Sequence, residues 1–398
     1  MRVLTISAAY SPDPGGVATH VVNLVQGLVK TFQDISVDVL TLRRSGMGYK
    51  KHSKWRLVEW KLDRRTVPEF HGRRVMFERF VSFALENWHD LRPDVVHVHD
   101  FDSLQVGWLL RTAFSVPLVL TVHRAPTDWR PRRYQENVKD CFMEAARLHG
   151  FVDQIVVPSE ASRGVLEDQG FRGVKVIPHG VSQHLLSFES DPSVLTQLNL
   201  PEDALLVFCP CRADEHKDIP VFVKGASVLR RELERRLVFV VTSRPEWAGA
   251  TEPLEVTELP VIAQHWGLTE GQDIFFTTPF EYGTPLATLY RRVSVVVVPS
   301  LHESFGLNVL DAFMFGKPVV ARNSKALREI VHHEENGLLF ETATELARQL
   351  RRLLVDPELA ARVAETAKRG LAQRYSVERM AREHRLLYEE VVARRKKD

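Results

Sequence analysis

Short apolar runs, mostly β-branched, alternate along the chain with longer segments whose apolar positions recur every three to four residues. The first run is Arg2–Ala8, and the segment after it carries Val17, His20, Val21, Leu24 and Leu28 at helical spacing. Strand-length runs follow at Ile35–Leu42, Pro93–His99, Val116–Val122, Gln154–Val157 and Val174–Ile177. Between them the spacing predicts helices over 104–113, 134–149 and 159–169, the last with Ser159 as its N-cap. The stretch Ser182–Asp203 is polar, contains Asp191-Pro192, ends in Leu200-Pro201, and has the composition of an interdomain linker. The alternation then restarts with strands at Leu205–Phe208, Leu237–Thr242, Ile274–Thr277 and Val293–Val298. The final part is a short strand, Gly337–Phe340, and helix from Ala343 to Arg394. Val293–Val298 is apolar at nearly every position, as in a strand covered on both faces.

Strand–helix alternation of this kind predicts an α/β fold built on parallel sheets. Two such series predict two doubly wound domains, residues 1–185 and 186–375, with 376–398 expected to pack back on the first. Ligands of such sheets gather at strand carboxyl ends, here in a cleft between the domains.

Composition changes this picture in only a few places. A chain of 398 residues, 44% hydrophobic and 26% charged, has the size and balance of a soluble two-domain protein. Its net charge of +2 gives no general attraction to nucleic acid. Cys141, Cys209 and Cys211 are too few for a disulfide framework and point to a reducing cytoplasm. No run reaches the roughly 20 apolar residues of a membrane span, and the N-terminus lacks the pattern of a signal peptide. Residues 43–79 stand apart, with twelve Lys/Arg against four Asp/Glu and with Trp55, Trp60, Phe70 and Phe77 interleaved. They read first as a solvated loop and helix, and second as a surface for an anionic acceptor or the inner face of a membrane.

Candidate chemistry collects at predicted strand ends. Gly15 and Gly16 precede a helix and let a ligand approach the backbone. His123 follows the strand Val116–Val122. Arg212 and Lys217, in the loop after Leu205–Phe208, suit a diphosphate. Glu303 lies in the turn after Val293–Val298, and Gly306 opens a helix that contains Asp311. Unpaired N–H groups at that helix start favour an anion, one carboxylate can take sugar hydroxyls and the other a ribose diol. Asp100 and Asp102 have the spacing of a metal-holding pair, a spacing common by chance, and Cys209-Pro-Cys211 lacks a second ligand pair. His97 and His99 share one strand face and suit core packing or a polar wall more than zinc. No metal site is expected.

Taken together, the Gly15-Gly16 loop, VVHVHD, LTVH, IPHGV, CRADEHK and PSLHESFGLNVLDAFMFGKPVVA resemble family 4 of the retaining glycosyltransferases, over nearly the full length. The resemblance implies the GT-B architecture of two Rossmann-like domains, the first for acceptor and the second for a nucleotide-sugar donor. It assigns Glu303 to the donor sugar, Arg212 and Lys217 to the diphosphate, and His123 to a sugar contact. Phe305, Gly306 and Leu307 offer backbone N–H groups, and Phe280 joins the donor side together with Gly15 and Gly16. The family's second Glu is here Asp311, one methylene shorter. Two glycine-rich family segments are also replaced, by Val240–Arg244 and by Asn323-Ser324-Lys325.

The resemblance implies transfer of a hexose or N-acetylhexosamine from a nucleoside-diphosphate sugar, with UDP the expected nucleotide, to an acceptor hydroxyl with retention. No cofactor or metal is implied, and the acceptor is either a small molecule or lipid-linked. Same-face and covalent routes both stay open, because no carboxylate is placed as a nucleophile. A sugar-nucleotide epimerase and a non-catalytic nucleotide-sugar-binding protein are the alternatives.

Overall fold

The computed structural model describes residues 1–10, 15–43, 48–51, 54–61, 69–123, 149–211, 214–242, 255–278, 280 and 283–395. Arg212, Cys141, Arg244 and the helix expected from residue 134 to 148 lie outside them. The chain forms two compact units, Met1–Gly180 with Ser376–Asp398, and Val181–Tyr375.

The first unit holds strands β1 (Arg2–Ser7), β2 (Ser36–Arg43), β3 (Gly48–Lys51), β4 (Trp55–Lys61), β5 (Val95–His99), β6 (Leu118–Thr121), β7 (Gln154–Val157) and β8 (Val174–Val176). Their order across the sheet is β3-β4-β2-β1-β5-β6-β7-β8. All neighbours are parallel except β3, which runs antiparallel to β4. Ile6 of β1 is paired with Leu40 on one side and Val98 on the other, so β1 and β5 flank the point where the strand order reverses. Every residue of β5 and β6 is buried, so both strands are covered on both faces, and His97 and His99 of β5 are buried with them.

Strands β3 and β4 correct the sequence expectation that 43–79 is a loop and a helix. Leu57 and Val58 are buried on the sheet, and Arg56 pairs with Asp38 of β2. An edge strand rich in Lys and Arg is a common device against edge-to-edge aggregation. Its composition therefore hides the strand from a reading based on charge. The helical part of the expectation appears as Glu69–Glu86.

The helix Gly16–Thr31 and the C-terminal helix Val377–Arg395 share one core cluster. Val21, Leu24, Val25 and Leu28 meet Met380, Ala381, Leu387, Tyr388 and Val391 there. Full burial of Met380, Leu387 and Val391 contributes about 1.5–3 kcal/mol each. Gly27 permits the approach, because a Cβ there would stand 2.5 Å from Val377 Cγ1 and 3.1 Å from its carbonyl.

The second unit holds β9 (Leu205–Cys209), β10 (Leu237–Val241), β11 (Ile274–Phe276), β12 (Val295–Val298), β13 (Val319–Arg322) and β14 (Leu338–Phe340). Their order is β11-β10-β9-β12-β13-β14, all parallel. The reversal falls between β9 and β12, which pair through Val207 with Val295 and Phe208 with Val296. The stretch Ser182–Asp203 is not a free linker but part of this unit. Leu185 is fully buried in its core, Asp191 N–H bonds Thr288 Oγ1 at 2.9 Å, and Arg291 holds the Leu186 carbonyl at 2.9 Å. Polar composition and an Asp-Pro pair suit a linker and a capped helix equally. Here Asp191 caps the helix Pro192–Gln197. No described helix is long and apolar enough to cross a membrane.

Candidate active site

The loops that leave the carboxyl ends of β9 and β12 meet at the reversal point of the second sheet. The first loop makes a single turn of 3-10 helix, Glu215–Lys217, and the second runs from Pro299 to Gly306. Leu301 N–H bonds the His216 carbonyl at 2.9 Å, and Asn308 Nδ2 bonds the Pro210 carbonyl at 2.7 Å. These two links hold the loops side by side. They bring Lys217 Nζ to 2.5 Å from Glu303 Oε1, across 86 residues of sequence.

Both side chains are largely withdrawn from water, at 13% and 12% exposure. Burial alone would push the Lys217 ammonium down, but the facing Glu303 carboxylate, together with Cys211 and Asp214, outweighs it and the net shift is upward. Burial likewise pushes the Glu303 carboxyl up, and Lys217, with help from Ser300 and His216, reverses this to a net downward shift. The pair is therefore charged at neutral pH. A largely buried ammonium with an anion at its side can exchange that partner for a phosphate.

Glu303 leads directly into a helix start. Gly306 caps the helix Leu307–Met314 with φ +112°, and a Cβ there would come within 2.8 Å of Leu327 Cδ2. Both the backbone angle and the space thus require glycine. The capping residue has no acidic side chain beside it, and the first turn contains no acid. Val309 N–H bonds the Gly306 carbonyl at 3.0 Å, which leaves, among the described residues, the N–H groups of Leu307 and Asn308 open to an external anion. Phe305 is buried, packs edge-on to Tyr375 with ring centroids 5.8 Å apart, and so fixes the loop that offers those groups. Leu307 and Phe280 are half-buried against the same core.

Asp311 lies one turn further along this helix. It is half-buried, and among the described residues no cation pairs with it. Burial pushes its carboxyl up to about 7. The structure therefore places Lys217, Glu303, Phe305, Gly306, Leu307 and Asp311 around one corner of the second unit. Arg212 lies outside the described residues.

The remaining sequence candidates belong to the first unit. Gly15 and Gly16 are exposed at the start of the helix Gly16–Thr31; Gly15 has φ +130° and open space where a side chain would be. His123 follows β6 and is buried. Its N–H bonds Asp100 Oδ1 at 2.7 Å, which gives Asp100 a structural role after β5. Its ring nitrogens face His99 Nδ1 at 3.0 Å and His179 Nε2 at 3.4 Å. His97 lies inside the core between Tyr388 and Thr121, each at 2.7 Å. Cys209 and Cys211 are buried free thiols.

Sequence reasoning gave no role to His20, His179 or His384, although His20 and His179 are buried beside His123 and His384 is buried beside His97 and His20. The available signal was a histidine on the apolar face of the first helix, together with histidines within β5 and just beyond β6 and β8.

A pair of doubly wound parallel sheets, the second with a cation–carboxylate pair at its reversal point, is the architecture of a GT-B glycosyltransferase. Sucrose-phosphate synthase from Thermosynechococcus elongatus superposes with a TM-score of 0.79 at 24% identity, covering 99% of this chain and 100% of that one. The Anabaena protein HepE in complex with UDP-glucose gives 0.72 at 19% identity, covering 99% of each. The family profile described as Glycosyltransferase Family 4 matches residues 14–184, and that described as Glycosyl transferases group 1 matches residues 192–370. A D-inositol 3-phosphate glycosyltransferase from Saccharomonospora viridis is 32% identical over 315 residues, covering 75% of this chain and 70% of that one. Another, from Salinispora tropica, is 31% identical over 426 residues, covering 98% and 86%. The chain belongs to glycosyltransferase family 4.

Proposed function

We propose that this glycosyltransferase moves a hexose or N-acetylhexosamine from a UDP-sugar to an acceptor hydroxyl, with retention at the anomeric carbon. The observation that carries the proposal is the Lys217–Glu303 contact at the start of the Gly306-capped helix. When donor binds, the diphosphate takes Lys217 and Arg212 as its cations, and the N–H groups after Gly306 add their partial charge. Glu303, released from Lys217, accepts hydroxyls of the donor sugar. Asp311 receives the ribose diol. Phe280, Gly15 and Gly16 line the donor, and His123 contacts its sugar through the backbone carbonyl, since its ring is engaged by other histidines. The main barrier is charge building on the departing diphosphate, and preorganised cations and N–H groups lower it without a metal at that position.

The donor base is supported by HepE, whose complex contains UDP-glucose. The names of the curated relatives make inositol 3-phosphate the first acceptor to test. The first unit reads the acceptor, and the basic segment 43–79 is its anion-binding or membrane-facing side. The protein works in the cytoplasm, at or near the inner membrane face.

The test is a panel of nucleoside-diphosphate sugars with inositol 3-phosphate and lipid-linked acceptors, with the product anomer read by NMR. Glu303→Gln and Lys217→Ala are each expected to lower kcat/KM by about 10²–10³ with the fold intact. Added Mg²⁺ or Mn²⁺ is expected to leave the rate unchanged. Near-normal turnover in both variants would refute the assignment.

A further inference from the structure

Six histidines, His20, His97, His99, His123, His179 and His384, are buried together in the first unit. They come from the first helix, from β5, from the segments just beyond β6 and β8, and from the C-terminal helix. Burying so many imidazoles is costly unless their ring nitrogens are satisfied. His97 is satisfied by Tyr388 and Thr121. His20 is not: it is 1% exposed, and among the described residues neither of its nitrogens has a hydrogen-bond partner. Its ring lies 4.6 Å from that of His123 and 4.2 Å from that of His179.

We propose that His20, His123 and His179 together bind one zinc-like divalent transition-metal ion. One ring nitrogen from each lies within 4.8 Å of the others. His123 Nδ1 and His179 Nε2 are 3.4 Å apart. Two nitrogens bound tetrahedrally at about 2.0–2.1 Å stand about 3.3 Å apart, so this edge already has the required length. The third ligand then needs to close by at most about 1.4 Å, which is within reach of a ring rotation. A set made only of imidazoles selects zinc and its transition-metal neighbours over Mg²⁺ and Ca²⁺, which take oxygen ligands.

For His123 an outer-shell partner is also in place. With Nδ1 of His123 on the metal, its Nε2 carries the proton and donates to His99 Nδ1 at 3.0 Å, which fixes both tautomer and ring plane. Three protein ligands leave a fourth position for water or a substrate oxygen. The ion would pin the segments after β6 and β8 to the first helix, just beyond the exposed Gly15-Gly16. This goes beyond the proposed leaving-group chemistry, which uses no metal, and its test is independent of turnover.

The test uses the full chain, with any purification tag removed, stripped with a chelator and refilled. Elemental analysis is expected to return one zinc per chain. Cobalt(II) in its place is expected to give the intense visible bands of a tetrahedral nitrogen site. In competition with a chromophoric chelator, His20→Ala and His179→Ala each weaken zinc at least about a hundredfold. His99→Ala weakens it about ten- to a hundredfold, as outer-shell losses do. His97→Gln leaves it unchanged. A refilled wild-type chain that retains no zinc, or gives only the faint octahedral cobalt spectrum, overturns the proposal. So does unchanged affinity in both ligand variants. Should a variant fail to fold, the wild-type stoichiometry and cobalt spectrum decide the matter alone.

Discussion

Asp311 is held in a place that disfavours its charge, and replacing it with asparagine measures by how much. Burial lifts its carboxyl from the ordinary 3.8 to about 7, with no cation among the described residues to pull it back. In the unfolded chain the same group ionises near its ordinary value. Asp311 therefore contributes its stability in full below about 3.8, and loses it progressively as pH rises to about 7. For a fully buried carboxyl, a rise from 3.8 to about 7 is equivalent to about 4 kcal/mol above pH 7. The side chain is only half-buried, so water screens part of this and about 2 kcal/mol is the better figure. Between pH 5 and pH 8 the wild type should lose about 0.5–1 kcal/mol that Asp311→Asn keeps. The assay is urea unfolding of both proteins at the two pH values, without donor, comparing the difference between them. Every other titrating group cancels in that comparison. A difference that stays flat, or shrinks toward pH 8, would refute the burial account. On the proposed donor role of Asp311, the same variant should also bind a UDP-sugar more weakly.

Three further outcomes follow from the geometry. Lys217→Met leaves Glu303 as an uncompensated, largely buried carboxylate and should cost about 1–3 kcal/mol in urea unfolding, whereas Lys217→Met with Glu303→Gln should cost less than the single change. Gly180→Ala places a Cβ 2.7 Å from the Ser376 carbonyl and 2.8 Å from Val377 Cα, backbone that has little room to move, and should cost about 1–3 kcal/mol in thermal or urea unfolding. Gly306→Ala forces φ +112° on a side-chain residue against Leu327 Cδ2, and should lower donor affinity measured by calorimetry; adding Leu327→Ala should relieve the clash but not the backbone strain.

The strand–helix alternation was legible because fully buried strands such as Val295–Val298 tolerate little but apolar residues. The same logic put Lys217 and Glu303 at strand ends. Their contact was not legible, since it depends on β9 and β12 being neighbours, and no local pattern states which strands pair. β3 and β4 were missed because β3 is an edge strand that carries two Lys at little cost, and β4 beside it mixes Arg56, Glu59 and Lys61 with its apolar residues. The Ser182–Asp203 stretch was missed because capping residues and linker residues are the same residues. The histidine cluster is the extreme case. Each histidine looks ordinary in its own segment, and only the sheet order and the C-terminal helix bring them within one cavity's width.

The second unit, Val181–Tyr375, interrupts the first, whose last piece is Val377–Arg395. Translation therefore completes the second unit while the first is still missing a helix. At 5–20 residues per second, synthesis of the interrupting segment takes roughly 10–40 s. Throughout that time Val21, Leu24, Val25 and Leu28 lack the cover that Met380, Leu387, Tyr388 and Val391 provide. An apolar helix face waits beside the ribosome, available to chaperones or to a neighbouring nascent chain. A stop codon anywhere before residue 377 would make that exposure permanent, so even a late truncation that spares every donor-side residue should yield an insoluble product.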